Sequence, residues 1–302
     1  MWFWLAILAL LCWSGSDIFA KLGCQSEEDP YAHLKMVMAV GLVMGLHAVY
    51  EIAFMGVTVD MRVIVTYLPV SALYILSMAV GYLGLRYIEL SISSPVSNSS
   101  GAIVVLLTLS VQGFGSVPPM GLAAAALVCA GVIGLGITEA REDEALRRTR
   151  QESANHRYAK SALAIALPIV YCILDALGTF ADSIVLQSLD EDAANAAYEL
   201  TFLAAGLVCA VYVLIVKKQR LVFRQELPKY AGALFETAGQ YAYVHALADS
   251  EHVTYAVPII SAYCVMSAVW ARIFLKERLS KKHYLCLLAV VAGIVLMAVL
   301  DI

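Results

Sequence analysis

The sequence predicts an all-α integral membrane protein. Hydrophobic residues make up 61% of the 302 residues and charged residues only 15%, and the mean hydropathy is +0.79. These values lie outside the range of soluble globular domains. Apolar runs close to the roughly 20 residues that a helix needs to cross about 30 Å of hydrocarbon recur along the whole chain.

We predict ten transmembrane helices, which together take up almost every residue. One charged segment, residues 141–160, stands apart from the short connectors, so no soluble domain is left to carry a separate activity. The first span has no basic segment before it, which favours a retained helix over a cleaved signal peptide. The predicted spans are Trp2–Ala20, Ala32–Met55, Val63–Tyr87, Ile92–Gln112, Met120–Glu139, Ser161–Leu189, Ala193–Val216, Tyr230–Leu247, Val253–Phe274 and Tyr284–Leu300.

The chain also contains an internal repeat of five helices. Short motifs recur in the same order and at near-constant spacing: Phe19-Ala20 with Phe180-Ala181, Leu68-Pro69 with Leu227-Pro228, Pro95 with Pro258, and Val128–Ile133 with Val290–Val295. An odd number of helices makes the second copy enter the membrane from the opposite side. We therefore predict two inverted five-helix repeats, residues 1–140 and 161–302, joined by the charged connector 141–160.

The distribution of basic residues supports inverted halves. Of the 20 Lys and Arg residues, all except Arg62 lie in or beside the connectors between spans one and two, three and four, five and six, seven and eight, and nine and ten. By the positive-inside rule these connectors are cytoplasmic and both termini lie outside the cell membrane. Segments such as KKQR are expected to contact anionic lipid head groups rather than nucleic acid.

A polar interruption marks the fourth span, within GYLGLRYIELSISSPVSNSSGAIVVLLTL. Pro95 removes a backbone donor, and Ser93, Ser97 and Ser100 share one helix face. Polar groups at membrane depth are tolerated where protein or a water-filled cavity meets them, so we interpret this helix as lining a cavity. The alternative is that its small residues allow tight packing of one helix against another.

Ionisable residues inside spans are further candidates, because each costs roughly 2.5–3.5 kcal/mol on insertion scales. Asp175 and Asp182 share a face of span six, although Asp182, like Glu199 in span seven, lies close enough to a helix end to be hydrated. Asp17 in span one either pairs with Lys21 or lines the cavity. The residues predicted to bind substrate or couple its transport are Glu236, Asp175, Asp17, Gln240, Tyr243, Tyr74, Ser77, Ser97, Asn98 and Tyr255.

Two segments resemble a known family. Phe274-Leu275-Lys276-Glu277-Arg278-Leu279-Ser280 before a Gly-containing last span, and Tyr87–Pro95 in the first half, resemble the EamA-type branch of the drug/metabolite transporter superfamily. The glutamate that the family has after its fourth span is replaced here by GFGSVPP. The resemblance covers the whole chain and implies alternating-access transport of small metabolites by ten helices, without an ATP site. It also implies cytoplasmic termini, contrary to the charge distribution.

The predicted function is secondary active transport of a small metabolite. A buried carboxylate can exchange protons or attract a cation, and tyrosine rings can hold an ammonium group, so a cationic or zwitterionic amine is expected and proton coupling stays open. Facilitated export or uniport of neutral metabolites or amino acids is the alternative, and a channel or structural protein is another.

An intramembrane enzyme is disfavoured, because the sequence lacks HExxH, a GxGD-type pair and a Gly-rich phosphate loop. The 6 histidines and 7 cysteines show no metal-ligand spacing, so no metal and no cofactor are predicted. The sequence does not indicate an oligomeric state.

Overall fold

The computed structural model describes residues 1–26, 29–87, 90–113, 115, 117–140, 162–275 and 280–299. Within these ranges the chain is helical and contains no β-strand. The predicted charged connector 141–160 lies outside the described residues, as do Ile88 and Glu89 and residues 276–279 of the segments that resemble the EamA-type family.

The helices follow one another through short turns. They are α1 (Trp2–Cys24), α2 (Ala32–Tyr50), α3 (Met61–Gly84), α4 (Leu90–Asn98), α5 (Ser100–Gln112), α6 (Pro119–Ala140), α7 (Ala162–Val185), α8 (Glu191–Ala210), α9 (Phe223–Leu247), α10 (Val253–Ser261), α11 (Tyr263–Phe274) and α12 (Lys281–Val299). Two π-helical turns, Glu51–Met55 and Val211–Val216, extend α2 and α8.

Seven helices in the described part of the chain are long and apolar enough to cross a membrane: Trp2–Cys24, Ala32–Met55, Met61–Gly84, Ser93–Val111, Ala166–Val185, Glu191–Val216 and Val253–Phe274. The predicted span Met120–Glu139 coincides with a shorter apolar helix, Pro119–Leu135. The two other predicted spans, Tyr230–Leu247 and Tyr284–Leu300, fall on α9 and α12. An all-α protein with several apolar spans is confirmed, and the number ten stays a prediction.

Aspartate side chains cap the N-termini of two helices, α3 and α8. The Asp60 carboxylate accepts a hydrogen bond from the Val63 amide at 2.8 Å, and the Asp190 carboxylate accepts one from the Ala193 amide at 3.1 Å. These side chains satisfy amides that have no partner within the first turn of a helix. The π-helical turn after α2 ends at Gly56, whose φ of 78° suits glycine.

Two predicted spans are interrupted four residues after a proline. The Ser99 amide is shared between the carbonyls of Pro95 and Val96, and the turn there separates α4 from α5. The Ala262 amide is shared in the same way between Pro258 and Ile259, where α10 gives way to α11. Sharing one amide between two carbonyls tightens the turn and interrupts the α-helical pattern.

The two interrupted helices also meet each other. A Cβ atom built on Gly101, at the start of α5, would collide with the Ser261 hydroxyl at the end of α10. The two turns are therefore in close contact, and glycine at position 101 makes this approach possible.

Helices distant in sequence pack in pairs. Helix α1 packs on α9, α3 on α7, α2 on α8, and α6 on α12. Glycines permit the closest crossing: a Cβ on Gly41 of α2 would lie 2.6 Å from the Phe202 carbonyl oxygen and 3.0 Å from the Cα of Gly206, both on α8. Small residues at such crossings let helix backbones approach within membranes.

The outward-facing surface is apolar. Large hydrophobic side chains such as Leu46, Val208, Ile215, Leu285 and Leu288 are more than half exposed. Contiguous apolar surface on this scale is unusual for a soluble monomer and suits contact with lipid.

We expect Gly41→Ala to destabilise the protein by about 1–3 kcal/mol, because the new methyl group meets backbone atoms that cannot move aside. Gly115→Ala serves as control, since a Cβ there has no neighbour within 4 Å. The measurement is the midpoint of thermal unfolding in detergent. Equal midpoints for the two variants would contradict the proposed close packing of α2 on α8.

Candidate functional site

A polar cavity lies between the packed helix pairs. Residues of α1, α3, α4, α5, α7, α8, α9, α10 and α11 line it, and it contains about 960 Å³ of space, part of which is open to solvent. The cavity extends from the middle of the bundle towards the end at which α1 terminates, where Ala20, Leu85 and Leu90 line it. It contains Asp17, Asp175 and Glu236, and no Lys, Arg or His of the described residues lines it.

Serine hydroxyls hold the first of the three carboxylates. Asp17 Oδ2 accepts hydrogen bonds from Ser94 Oγ at 2.6 Å and from Ser267 Oγ at 2.7 Å. These serines belong to α4 and α11, so the Asp17 carboxylate joins three helices. Lys21 Nζ donates to the Leu85 carbonyl oxygen at 2.7 Å. The position of Asp17 in the cavity favours the cavity-lining alternative of the sequence analysis.

The other two carboxylates come from α7 and α9. Asp175 Oδ2 accepts a hydrogen bond from Ser100 Oγ at 2.6 Å, at the first residue of α5. The Glu236 side chain is 9% exposed and interacts with Trp13 and Ser16 of α1. Because like charges repel in a medium of low dielectric, three carboxylates around one cavity favour uptake of a cation or a proton.

The cavity wall also offers aromatic faces and polar atoms that lack a partner. Buried atoms without a hydrogen-bond partner include Tyr82 Oη and Gln240 Nε2, and both residues line the cavity. A buried polar atom without a partner is costly, so such atoms are suited to meet a polar ligand or water. Aromatic rings that line the same space belong to Trp13, Tyr74, Tyr82, Tyr171, Tyr198, Tyr243 and Tyr263.

A tyrosine network separates the cavity from a fourth carboxylate. Tyr67 Oη donates to Asp182 Oδ1 at 2.7 Å, and both side chains are fully buried. Tyr74 Oη lies 3.5 Å from Asp182 Oδ2 and 3.0 Å from Thr179 Oγ1, and is hydrogen bonded to the Tyr243 hydroxyl. Tyr74, Thr179 and Tyr243 line the cavity. This network closes the cavity towards the end of the bundle at which α1 begins.

The structure brings most of the predicted site residues together. Those that line the cavity are Asp17, Tyr74, Ser97, Asn98, Asp175, Glu236, Gln240 and Tyr243. The serine-rich fourth span, with Ser93 and Ser100, also lines it, as the cavity interpretation of that span required.

Two predicted residues lie elsewhere. Ser77 Oγ donates to the Tyr74 carbonyl oxygen of its own helix at 2.8 Å and is fully buried. Tyr255 lies near the Trp2 ring, at 6.3 Å between ring centroids, and its hydroxyl faces Gly121. Neither residue is among those that line the cavity, since the Ser77 hydroxyl bonds to its own helix and the Tyr255 hydroxyl faces α6.

The hydration expected for Asp182 and Glu199 is wrong, since both side chains are fully buried. Asp182 and Glu199 lie close to a helix end, but packed side chains cover both of them. Sequence reasoning also missed the donors Ser94 and Ser267, whose role depends on which helices adjoin α1.

Comparison with known families gives a match for the second half of the chain. Residues 162–299 match the model of the EamA-like transporter family. The second half of the chain belongs to the EamA-like transporter family. The resemblance seen in the sequence is thereby confirmed for this half, and the match supports a multi-pass membrane transporter of the drug/metabolite kind. Membership of this family implies a small-molecule substrate and gives no support to the enzyme alternative.

The fold itself has a relative among solved structures. A crystal structure of a protein with 14% sequence identity superposes on this chain with a TM-score of 0.65, over 99% of this chain and 96% of the other. At this identity the likeness shows a shared fold. Comparison with curated proteins gave no match to this chain.

We expect Tyr67→Phe to lower the midpoint of thermal unfolding in detergent, because the fully buried Asp182 carboxylate loses its shortest donor. Loss of one partner of a buried polar group costs about 1–3 kcal/mol. Tyr87→Phe is the matched control, since Tyr87 is 37% exposed. An unchanged midpoint in Tyr67→Phe would show that this hydrogen bond does not stabilise the fold.

Proposed function

We propose that the chain is a secondary, alternating-access transporter of a small cationic or zwitterionic amine. The observation that carries this proposal is the placement of Asp17, Asp175 and Glu236 around one cavity that no described Lys or Arg lines. An ammonium group can contact these carboxylates and the faces of Tyr74 and the other rings together.

The partnerless polar atoms refine the substrate class. Gln240 Nε2 can only donate hydrogen bonds, so it suits an acceptor such as a carboxylate or carbonyl oxygen on the substrate. A molecule with an amine at one end and an acceptor at the other satisfies both sides of the cavity. An amino acid or a related amine fits this description.

Protons are the proposed coupling ion. Each of the three cavity carboxylates is accommodated more easily in its neutral form when the cavity holds no cation, because burial disfavours charge. A carboxylate that releases a proton when substrate binds, and takes one up when substrate leaves, would couple proton transport to substrate transport. The serine donors to Asp17 and Asp175 can hydrogen bond to either form.

The proposed transporter consists of ten transmembrane helices in two inverted halves, residues 1–140 and 161–302. Several features recur between the halves: the turns at Ser99 and Ala262, the interior prolines Pro69 and Pro228, and the π-helical ends of α2 and α8. The helix pairs also support two matching halves. Exchanging the halves turns the α1–α9 pair into the α7–α3 pair, and the α2–α8 and α6–α12 pairs stay the same.

The charge distribution suggests an orientation in the plasma membrane. With the basic connectors in the cytoplasm, the cavity extends towards the cytoplasmic side and the tyrosine network lies towards the outside. The structure then corresponds to an inward-facing state. Alternating access would require the Tyr67–Asp182 network to open while helices close around the other end.

Binding of substrate tests the role of the carboxylates. We expect an amine or amino acid from a panel that also contains nucleosides to raise the midpoint of thermal unfolding, and Glu236→Gln and Asp175→Asn to abolish most of this rise. A ligand at about 100 times its Kd stabilises by about 2.7 kcal/mol. Asp175→Asn keeps an acceptor for Ser100 and removes only the charge.

Glu191→Gln is the control for this experiment, because Glu191 lies in the first turn of α8 and outside the cavity lining. Equal stabilisation of wild type and both cavity variants would disprove the site. Stabilisation by anions alone would disprove the proposed charge of the substrate.

Counterflow in proteoliposomes tests the mechanism. We expect vesicles preloaded with the unlabelled amine to accumulate the labelled amine transiently above equilibrium, since an alternating-access carrier exchanges one molecule for another. A channel would equilibrate the label without an overshoot. Glu236→Gln should remove the overshoot, and Glu191→Gln should retain it.

A further inference from the structure

A second cluster of ionisable side chains lies between α2 and α8, outside the cavity. His47 Nδ1 lies 2.9 Å and 3.0 Å from the two carboxylate oxygens of Glu199, and 3.8 Å from Glu51 Oε2. Asn195 Nδ2 lies 3.2 Å from Glu199 Oε1 and 3.3 Å from Glu51 Oε2. None of the four residues lines the cavity.

The helix geometry explains why these residues meet. His47 and the first residue of the π-helical turn, Glu51, are four positions apart on α2 and its extension, and Asn195 and Glu199 are four positions apart on α8. Residues at this spacing share a helix face. The crossing at Gly41 and Gly206 brings the two faces together, so each helix supplies one half of the cluster.

The charge of the cluster is not balanced by the side chains present. The Glu51 and Glu199 side chains are 5% and 0% exposed, and no Lys or Arg of the described chain forms a salt bridge with either. Protonated His47 can neutralise only one carboxylate. Two buried carboxylates in one site therefore call for an additional positive charge or proton.

The fully buried Asn195 amide points to a metal cation rather than a proton alone. Its Nδ2 faces the two carboxylates, while its Oδ1 has no hydrogen-bond partner. Rotation of the amide by 180° about its last bond exchanges these atoms and places Oδ1 among the carboxylate oxygens. Without a cation that arrangement is repulsive, and with one the Asn195 Oδ1 atom becomes a further ligand, while Nδ2 takes the position that Oδ1 occupies in the structure.

We propose that His47, Glu51, Asn195 and Glu199 bind a divalent first-row transition metal ion, with Zn²⁺ the best fit. The nitrogen and carboxylate ligands, with four groups available, match the preferences of Zn²⁺, whereas Mg²⁺ and Ca²⁺ prefer oxygen ligands alone. The potential ligand atoms of His47, Glu51 and Glu199 all lie within 4.8 Å of one another. The His47 side chain is 32% exposed.

Such a site would join α2 to α8 near the end of the bundle at which α1 begins. These helices form one of the two pairs that the proposed exchange of halves leaves unchanged, the other being α6 and α12. A bound ion would fix their crossing. The metal site does not depend on the proposed amine substrate, and either can be wrong without the other.

Metal binding can be measured directly on the full chain. The protein is purified in detergent, freed of any polyhistidine tag, stripped with a chelator and titrated with ZnCl₂ against a chromogenic chelator. We expect one Zn²⁺ ion per chain and a higher midpoint of thermal unfolding. His47→Gln and Glu51→Gln should each weaken Zn²⁺ binding by about tenfold or more, and MgCl₂ at equal concentration should leave the midpoint unchanged.

His252→Gln is the matched control, because His252 pairs with Asp249 at 2.7 Å without a second buried carboxylate. Gel filtration identifies folded variants, and His47→Gln, which changes a partly exposed side chain, carries the test if Glu51→Gln does not fold. The proposal is overturned if no Zn²⁺ binds, if His47→Gln binds it as tightly as wild type, or if His252→Gln weakens binding to the same degree.

Discussion

A carboxylate among apolar helices must be compensated by hydrogen-bond donors, by a proton or by a cation, and this requirement accounts for the polar organisation of the chain. Asp182 is compensated by tyrosine hydroxyls, and Asp17 and Asp175 by serines from neighbouring helices. Each carboxylate thus ties together helices that are distant in sequence. Where donors are fewer, as at Glu236 and between α2 and α8, the proposed ligands would supply the remaining positive charge.

Sequence patterns predicted the helices well because lipid leaves few alternatives: apolar runs of sufficient length form helices, and polar residues within them face protein or water. Asp175, Glu236 and Gln240 could be assigned to the cavity because spacing along a helix determines which residues share a face. The partners Ser94 and Ser267 could not, since they depend on how helices are arranged in space. Ser77 was predicted to bind substrate, but its hydroxyl bonds to its own backbone and it does not line the cavity.

Similar helices in the two halves contain different chemistry. Pro95 and Pro258 both precede an interruption of the helix, yet the serines and Asn98 lie on the first-half helix, while the second supplies Val257 and Ile260 to the cavity. Two of the cavity carboxylates, Asp175 and Glu236, belong to the second half. Matching helices from the two halves can therefore line one cavity with different side chains.

The contact between Gly101 and Ser261 has an evolutionary consequence. The Ser261 side chain fills the space beside Gly101, where a Cβ atom would lie. The packing therefore limits the combined volume of the two residues. A larger residue at position 101 requires a smaller one at position 261, and one alone would separate the interrupted helices. Among homologues of this chain, the two positions should change together, with glycine moving from one site to the other.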